Sequence, residues 1–216
     1  MRKKLFAELI GTFILVFAGT GAIMINDIAG AIGHVGIALT FGFVIVALIY
    51  SFAHVSGAHF NPAVTMGEFE RKNVFPYIFA QILGAVIASS SLYLLLNENF
   101  INVSEVSYLG ATLPSGSLVQ AFGFELIMTF ILMIVICSSA VHGKATKDFA
   151  GLAIGLTVGL ESMFAGPITG ASMNPARSIG PAIISGNLEN LWIYIIATIL
   201  GSVFAALVFL KVFQSD

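Results

Sequence analysis

Charge is what this chain has least of. Only 9% of its 216 residues are Asp, Glu, Lys or Arg, against about a quarter in soluble domains. That scarcity excludes a disordered chain and a charge-laced coiled coil. Nine Lys and Arg are outnumbered by eleven Asp and Glu, so no basic field recruits nucleic acid. A single cysteine, Cys137, excludes an intramolecular disulfide and a multi-cysteine metal centre. Its expected role is a small core residue. No nucleophile–base pair and no metal-ligand set is positioned, so neither enzymatic chemistry nor a cofactor is expected. His54 and His59 in HVSGAH lack the glutamate of a zinc-protease HExxH motif. What the chain does have is apolar surface: 58% hydrophobic residues and a mean hydropathy of +1.00. The class that remains is a membrane protein that crosses the bilayer several times.

A helix needs about 20 apolar residues to cross the hydrocarbon core. Six stretches qualify: roughly 5–25, 33–53, 74–96, 117–141, 149–166 and 188–212. Residues 54–73 and 167–187 are too apolar for plain loops and too interrupted to span. They read as re-entrant segments, which survive only where protein or a watery cavity covers them. Met-Arg-Lys-Lys before an apolar run also suits a secretory signal. The length of the run, Glu8 within it and a later copy of the segment favour a span.

The basic residues set the orientation. Arg2, Lys3, Lys4, Arg71, Lys72, Lys144, Lys147 and Lys211 all fall on one side of a six-span chain, expected to be the cytoplasm with both termini. A plasma (inner) membrane location is expected. Arg177 is the exception, an isolated charge inside a hydrophobic segment on the outer side, and such a charge invites a functional reading. Asn102-Val103-Ser104 in an outer loop matches a glycosylation sequon, read here as a chance match.

The chain also repeats itself. ELIGTFILVF at 8–17 and ELIMTFILMI at 125–134 agree at seven of ten positions, offset by 117. SGAHFNPAVT at 56–65 and TGASMNPARS at 169–178 agree at five of ten, offset by 113. YIFAQILGAV at 77–86 and YIIATILGSV at 194–203 agree at seven of ten, again offset by 117. One domain, 1–216, is thus divided into halves at 1–100 and 117–216. Each half has two spans, a re-entrant segment and a third span. Three spans per half is odd, so the halves insert in opposite orientations. An inverted repeat of this kind places its site near the midplane, between the halves.

Asn61-Pro62-Ala63 and Asn174-Pro175-Ala176 sit at equivalent positions of that repeat. Proline suits the first position of a helix and asparagine caps the end before it. Short helices are therefore expected over 62–70 and 175–184, meeting N-terminus to N-terminus near the midplane. Each N-terminus carries roughly half a positive charge. Together they repel cations and hydronium and orient water by its oxygen. Asn61 and Asn174 add side-chain N–H donors, and Arg177 adds a full charge one turn along. This arrangement suits a pore that passes neutral polar molecules and refuses protons.

With both boxes, the inverted repeat and six spans, the whole chain resembles the aquaporin, or major intrinsic protein, family. SGAHFNPAVT and AGPITGASMNPARSIGPA are most similar to nodulin-26-like intrinsic proteins and their bacterial relatives. The resemblance implies an all-α fold of six transmembrane helices plus two re-entrant half-helices. It also implies a homotetramer in the lipid bilayer with one pore per subunit. The short stretch before the first span, unlike the extensions common in plant members, suggests a prokaryotic source.

The resemblance further implies a filter near the outer mouth, built here from Phe41, Ser162, Ala171 and Arg177. Span five supports Ser162 independently. Gly151, Gly155 and Gly159 make a small-residue packing face, and Ser162 lies within about 20° of Gly151 and Gly155 around the helix. A serine bonded to its own helix is the alternative. Water-selective relatives carry histidine at this position. Serine and alanine leave a wider opening, so water, glycerol and metalloid acids such as boric or arsenous acid are the expected solutes. Two features leave a strictly water-selective channel as the alternative. Phe41 replaces the tryptophan of the plant subgroup, and Ser178 resembles the water-channel branch.

The family reading of Glu8 and Glu125 is that they brace the re-entrant loops. Glu161, beside the filter, either braces its loop or tunes the mouth. His59 is expected to line the cytoplasmic half of the pore, and His54 to pack. A secondary transporter, the main rival, would need paired ionisable residues at the midplane, where this chain has asparagines. A closed-pore junction protein of the same fold is the second rival.

Overall fold

The computed structural model describes residues 1–68, 73–97 and 107–214. Arg71, Lys72 and the sequon at 102–104 lie outside them. Among the described residues eight α-helices run in order: α1 Arg2–Ala29, α2 Gly33–Ser56, α3 Pro62–Gly67, α4 Val74–Asn97, α5 Leu118–Ile136, α6 Ala150–Thr169, α7 Pro175–Ser185 and α8 Leu191–Val212. Among the described residues there is no strand. Six helices are long and apolar enough to cross a bilayer. Their outward faces carry Phe6, Phe43, Phe75, Phe79, Leu160 and Phe204, all exposed, as suits contact with lipid tails rather than water.

Several boundaries differ from the sequence reading, and three elements show why. The first span begins at Arg2 and extends to Ala29, closed by Gly30 in the left-handed region. The first short helix ends at Gly67, sooner than 62–70 predicts. There its lack of a side chain lets the turn press against Ser202 and Met133. The fifth span continues past Pro167 to Thr169, where the sequence places a break before the proline. Pro167 has no N–H to offer the carbonyl of Met163 four residues back. His34 Nε2 takes that carbonyl instead at 2.6 Å, so the helix continues with the bond supplied from α2.

The packing repeats with the sequence. α1 lies on α2 and α4, and α5 lies on α6 and α8 in the same relation. Each short helix is held by the other half: α3 against α8, and α7 against α4. α2 and α6 meet along the middle of the molecule, and there glycine decides the distance. A Cβ on Gly42 would stand 2.8 Å from Gly155 O and 3.1 Å from Gly159 Cα, closer than backbone can yield. Gly42→Leu is therefore expected to prevent assembly of the α2–α6 seam, read as loss of monodisperse protein on size exclusion in detergent.

Candidate functional site

The two returning loops are built alike. Ala58, Phe60, Ala171 and Met173 all adopt positive φ, between 43° and 56°, a costly conformation for residues with a Cβ. A buried carboxylate holds each loop there. Glu8 accepts from Ser56 Oγ at 2.6 Å, His59 N at 3.1 Å, Phe60 N at 2.7 Å and Gln81 Nε2 at 2.8 Å. Glu125 accepts from Thr169 Oγ1 at 2.8 Å and from Ser172 N and Met173 N, each at 2.9 Å. Tyr77 and Tyr194, also repeat-equivalent, donate to Ser56 O and Thr169 O at 2.8 Å. In a trans peptide the carbonyl points opposite the N–H. The N–H groups turned inward to the glutamates therefore turn the carbonyls of Ala58, His59, Ala171 and Ser172 the other way. Those four residues line the central cavity. Glu8 and Glu125 thus each bond the loop that follows in their own half.

Removing one brace has a calculable cost. Glu125→Leu leaves two buried loop N–H groups and a threonine hydroxyl without acceptors, at about 1–3 kcal/mol each. The expected result is a loss of at least about 3 kcal/mol, seen as a markedly lower melting temperature in detergent. Glu125→Gln, which keeps one acceptor oxygen, should lose less.

Each loop feeds its short helix through a capped start. Asn61 Oδ1 accepts from Ala63 N at 2.8 Å, and Asn174 Oδ1 accepts from Ala176 N at 3.0 Å and Arg177 N at 3.3 Å. Pro62 and Pro175 occupy the first helical position. The amides then cross between halves. Asn61 Nδ2 donates to Met173 O at 2.7 Å, and Asn174 Nδ2 donates to Phe60 O at 2.9 Å. Sequence reasoning missed this exchange, which no local motif encodes. It corrects the donor count: each amide keeps one N–H for the cavity rather than two.

Two cavities adjoin one another. The larger, about 490 Å³, reaches from Asn61 and Asn174 past His59 to His54, Lys147 and Asp148. The smaller, about 400 Å³, is lined by Asn26, His34, Ser162 and Gly170 among others. They have only Phe41 and Arg177 in common. Ser162 lines the smaller cavity and Ala171 the larger, so of the four filter candidates two are shared and one lies in each cavity. Arg177 is 2% exposed. Its Nη1 donates to Gly110 O at 2.7 Å, and its guanidinium carbon lies 5.0 Å from the centre of the Phe41 ring. Nε and Nη2 have no partner among the described residues. Gly110, in the connection between α4 and α5, holds Arg177 through its carbonyl, a contact no sequence motif announces. It follows Tyr108 and Leu109, and all three have positive φ.

Other residues depart from expectation. His54 is exposed at the mouth of the larger cavity rather than packed. His59 lines that cavity and stands 2.7 Å from Glu68 Oε2 through Nε2 and 3.1 Å from Thr65 Oγ1 through Nδ1. Ser178 lines neither cavity. Its hydroxyl bonds Ser172 Oγ at 2.6 Å and accepts from Thr112 Oγ1 at 2.8 Å, stitching the outer connection to the loop. Glu161 braces nothing: neither carboxyl oxygen has a hydrogen-bond partner among the described residues.

Six spans, two half-helices meeting through their capping asparagines and two adjoining cavities that share Phe41 and Arg177 define a membrane channel. The family model described as major intrinsic protein matches residues 1–209. The chain is 44% identical to nodulin-26 of Glycine max over 221 residues, covering 99% of this chain and 79% of that one. It is 43% identical to aquaporin NIP1-2 of Arabidopsis thaliana, covering 99% and 75%. The crystal structure of the aquaglyceroporin from Plasmodium falciparum superposes with a TM-score of 0.87 at 31% identity, covering 98% of this chain and 96% of that one. The chain belongs to the major intrinsic protein family and is a multi-pass membrane channel for water and small uncharged solutes.

Proposed function

We propose that the junction of the two cavities is the selectivity filter, and that it is wide enough for glycerol and for metalloid acids such as boric or arsenous acid. The observation that carries this reading is the set of residues at the junction. Phe41 supplies an apolar wall, Arg177 lines both cavities and holds two donors without a partner among the described residues, and Ser162 and Ala171 fill little space. A solute with hydroxyls on one edge and an apolar back fits such a lining. That one structural neighbour is titled an aquaglyceroporin supports the same size class.

The midplane donors of Asn61 and Asn174 hold a passing oxygen. The N-termini of α3 and α7 and the charge of Arg177 disfavour cations. Protons and ions are therefore excluded, and no coupling ion is required. Both termini face the cytoplasm and the chain resides in the plasma (inner) membrane. Four copies assemble as a homotetramer with one pore each. The exposed apolar stripe Leu152, Leu156, Leu160 and Phe164 on α6 offers one contact face for that assembly.

The neutral-solute reading is tested with proteoliposomes in matched gradients of glycerol, boric acid and potassium glycerate. Glycerol and boric acid should cause re-swelling well above the rate of empty liposomes, and glycerate should not. Entry of glycerate at the glycerol rate would refute charge exclusion. Entry of neither neutral solute, with fast water flux, would make this a strictly water-selective channel.

A further inference from the structure

Pro167 stands inside α6, and the repeat shows what that proline requires. At the offset of 113 that relates the two Asn-Pro-Ala boxes, α6 ends as α2 does. Gly170 N bonds Gly166 O at 2.9 Å and Gly57 N bonds Ala53 O at 3.0 Å, both glycines in the left-handed region. The turn before that cap differs. Met163, Gly166 and Pro167 correspond to Tyr50, Ala53 and His54. His54 has a backbone N–H for the carbonyl four residues back, and Pro167 has none. The second half therefore needs an outside donor, and His34 supplies it to Met163 O at 2.6 Å. A carbonyl oxygen only accepts, so His34 Nε2 carries the hydrogen. The counterpart of His34 is Lys147. There the contact runs the other way, with the Tyr50 hydroxyl donating to Asp148 O at 3.0 Å. Gly166 completes the set. A Cβ on it would stand 2.7 Å from His34 Cε1, and a glycine also relieves the crowding of the residue before a proline. Histidine, glycine and proline thus differ together from their counterparts in the other half.

This bond is made at the wall of the passage. His34, Ser162, Gly166 and Pro167 all line the smaller cavity. Ser162 is buried and directly precedes Met163, whose carbonyl His34 holds. Beyond the proline the chain is tied down by other groups. Ser115 Oγ donates to Pro167 O and Ser115 N to Ile168 O, each at 2.9 Å. Thr169 is fixed through its hydroxyl by Glu125 and through its carbonyl by Tyr194. On the near side of the proline, the freed carbonyl is held by His34.

We propose that His34 is a positioning residue of the passage: by taking the carbonyl that Pro167 cannot serve, it holds the last turns of α6, and with them Ser162 and the Gly166–Pro167 wall, in the arrangement that lets glycerol through. Without the bond, this part of α6 populates more than one arrangement. Water is small enough to pass in each of them. A three-carbon polyol passes only where Ser162 and the wall stand back. His34 therefore acts on solute choice and leaves water conduction nearly as it was.

This rests on the filter reading above, which the Ser162→His substitution in the Discussion tests separately. The present test is the ratio of glycerol to water permeability in proteoliposomes carrying His34→Ala, His34→Gln, Pro167→Ala or the double variant His34→Ala/Pro167→Ala. One net hydrogen bond shifts an equilibrium by roughly two- to tenfold. His34→Ala should therefore lower the ratio by about threefold or more, with water flux within about twofold of wild type. Glutamine keeps a side-chain N–H for Met163 O and should keep the wild-type ratio. Pro167→Ala gives the helix its own N–H. Alone it should change little, and in the double variant it should restore the ratio although the imidazole is still missing. A histidine that merely fills space would not be rescued in this way. If His34→Ala fails to assemble, the double variant is still expected to assemble with the wild-type ratio. A wild-type ratio in His34→Ala, or a double variant that is not rescued, would overturn the proposal. Either failure leaves Ser162→His still barring glycerol, whereas failure of the filter reading shows as equal loss of both fluxes in that variant.

Discussion

Ser162→His is expected to leave water flux within about twofold of wild type and to cut glycerol uptake by about tenfold or more. Ser162 lines the smaller cavity, which shares Phe41 and Arg177 with the larger one. An imidazole there would extend across the opening toward Arg177 and add a donor that a water molecule can use. Glycerol, with its carbon backbone, would lose the space left open by serine. The measurement is stopped-flow shrinkage in sucrose and re-swelling in glycerol on the same vesicles. Loss of both fluxes in equal measure would mean that Ser162 does not sit at the narrowest point.

Arg177→Val should raise proton or cation leak by on the order of tenfold at unchanged protein density. The substitution removes the one full positive charge at the junction and leaves the Asn caps of both short helices untouched. It also leaves Gly110 O without its 2.7 Å bond. A lowered melting temperature is therefore expected alongside the leak. Arg177→Lys separates the two effects, because it keeps the charge while losing the forked guanidinium. It should stay tight to protons while passing glycerol more slowly than wild type. A valine variant no leakier than wild type, with normal water flux, would place the proton barrier at the asparagines alone.

Most of the architecture was legible because the bilayer leaves the chain few options. Spanning helices must be long and apolar, and six such stretches stand out. The repeated ELI-TFIL and YI-A-ILG segments reveal the two halves. The paired Asn-Pro-Ala boxes announce their own caps, since N-capping and proline at the first turn are local chemistry. The features that escaped are those set by distant partners. The continuation of α6 through Pro167 depends on His34, more than a hundred residues earlier. The crossed amides of Asn61 and Asn174 depend on carbonyls of the opposite half. Gly110 anchors Arg177 through a backbone oxygen, and any residue has one of those. The unpartnered state of Glu161 was equally invisible, because a sequence shows that an acid is present and not what faces it.

The most direct test of the whole account is one set of records on wild-type protein in a single batch of proteoliposomes: water efflux, glycerol influx and proton leak. The filter described here predicts fast water and fast glycerol with a proton leak equal to that of empty vesicles. Fast water without glycerol would contradict the wide filter, and glycerol flux accompanied by proton leak would contradict the electrostatic barrier.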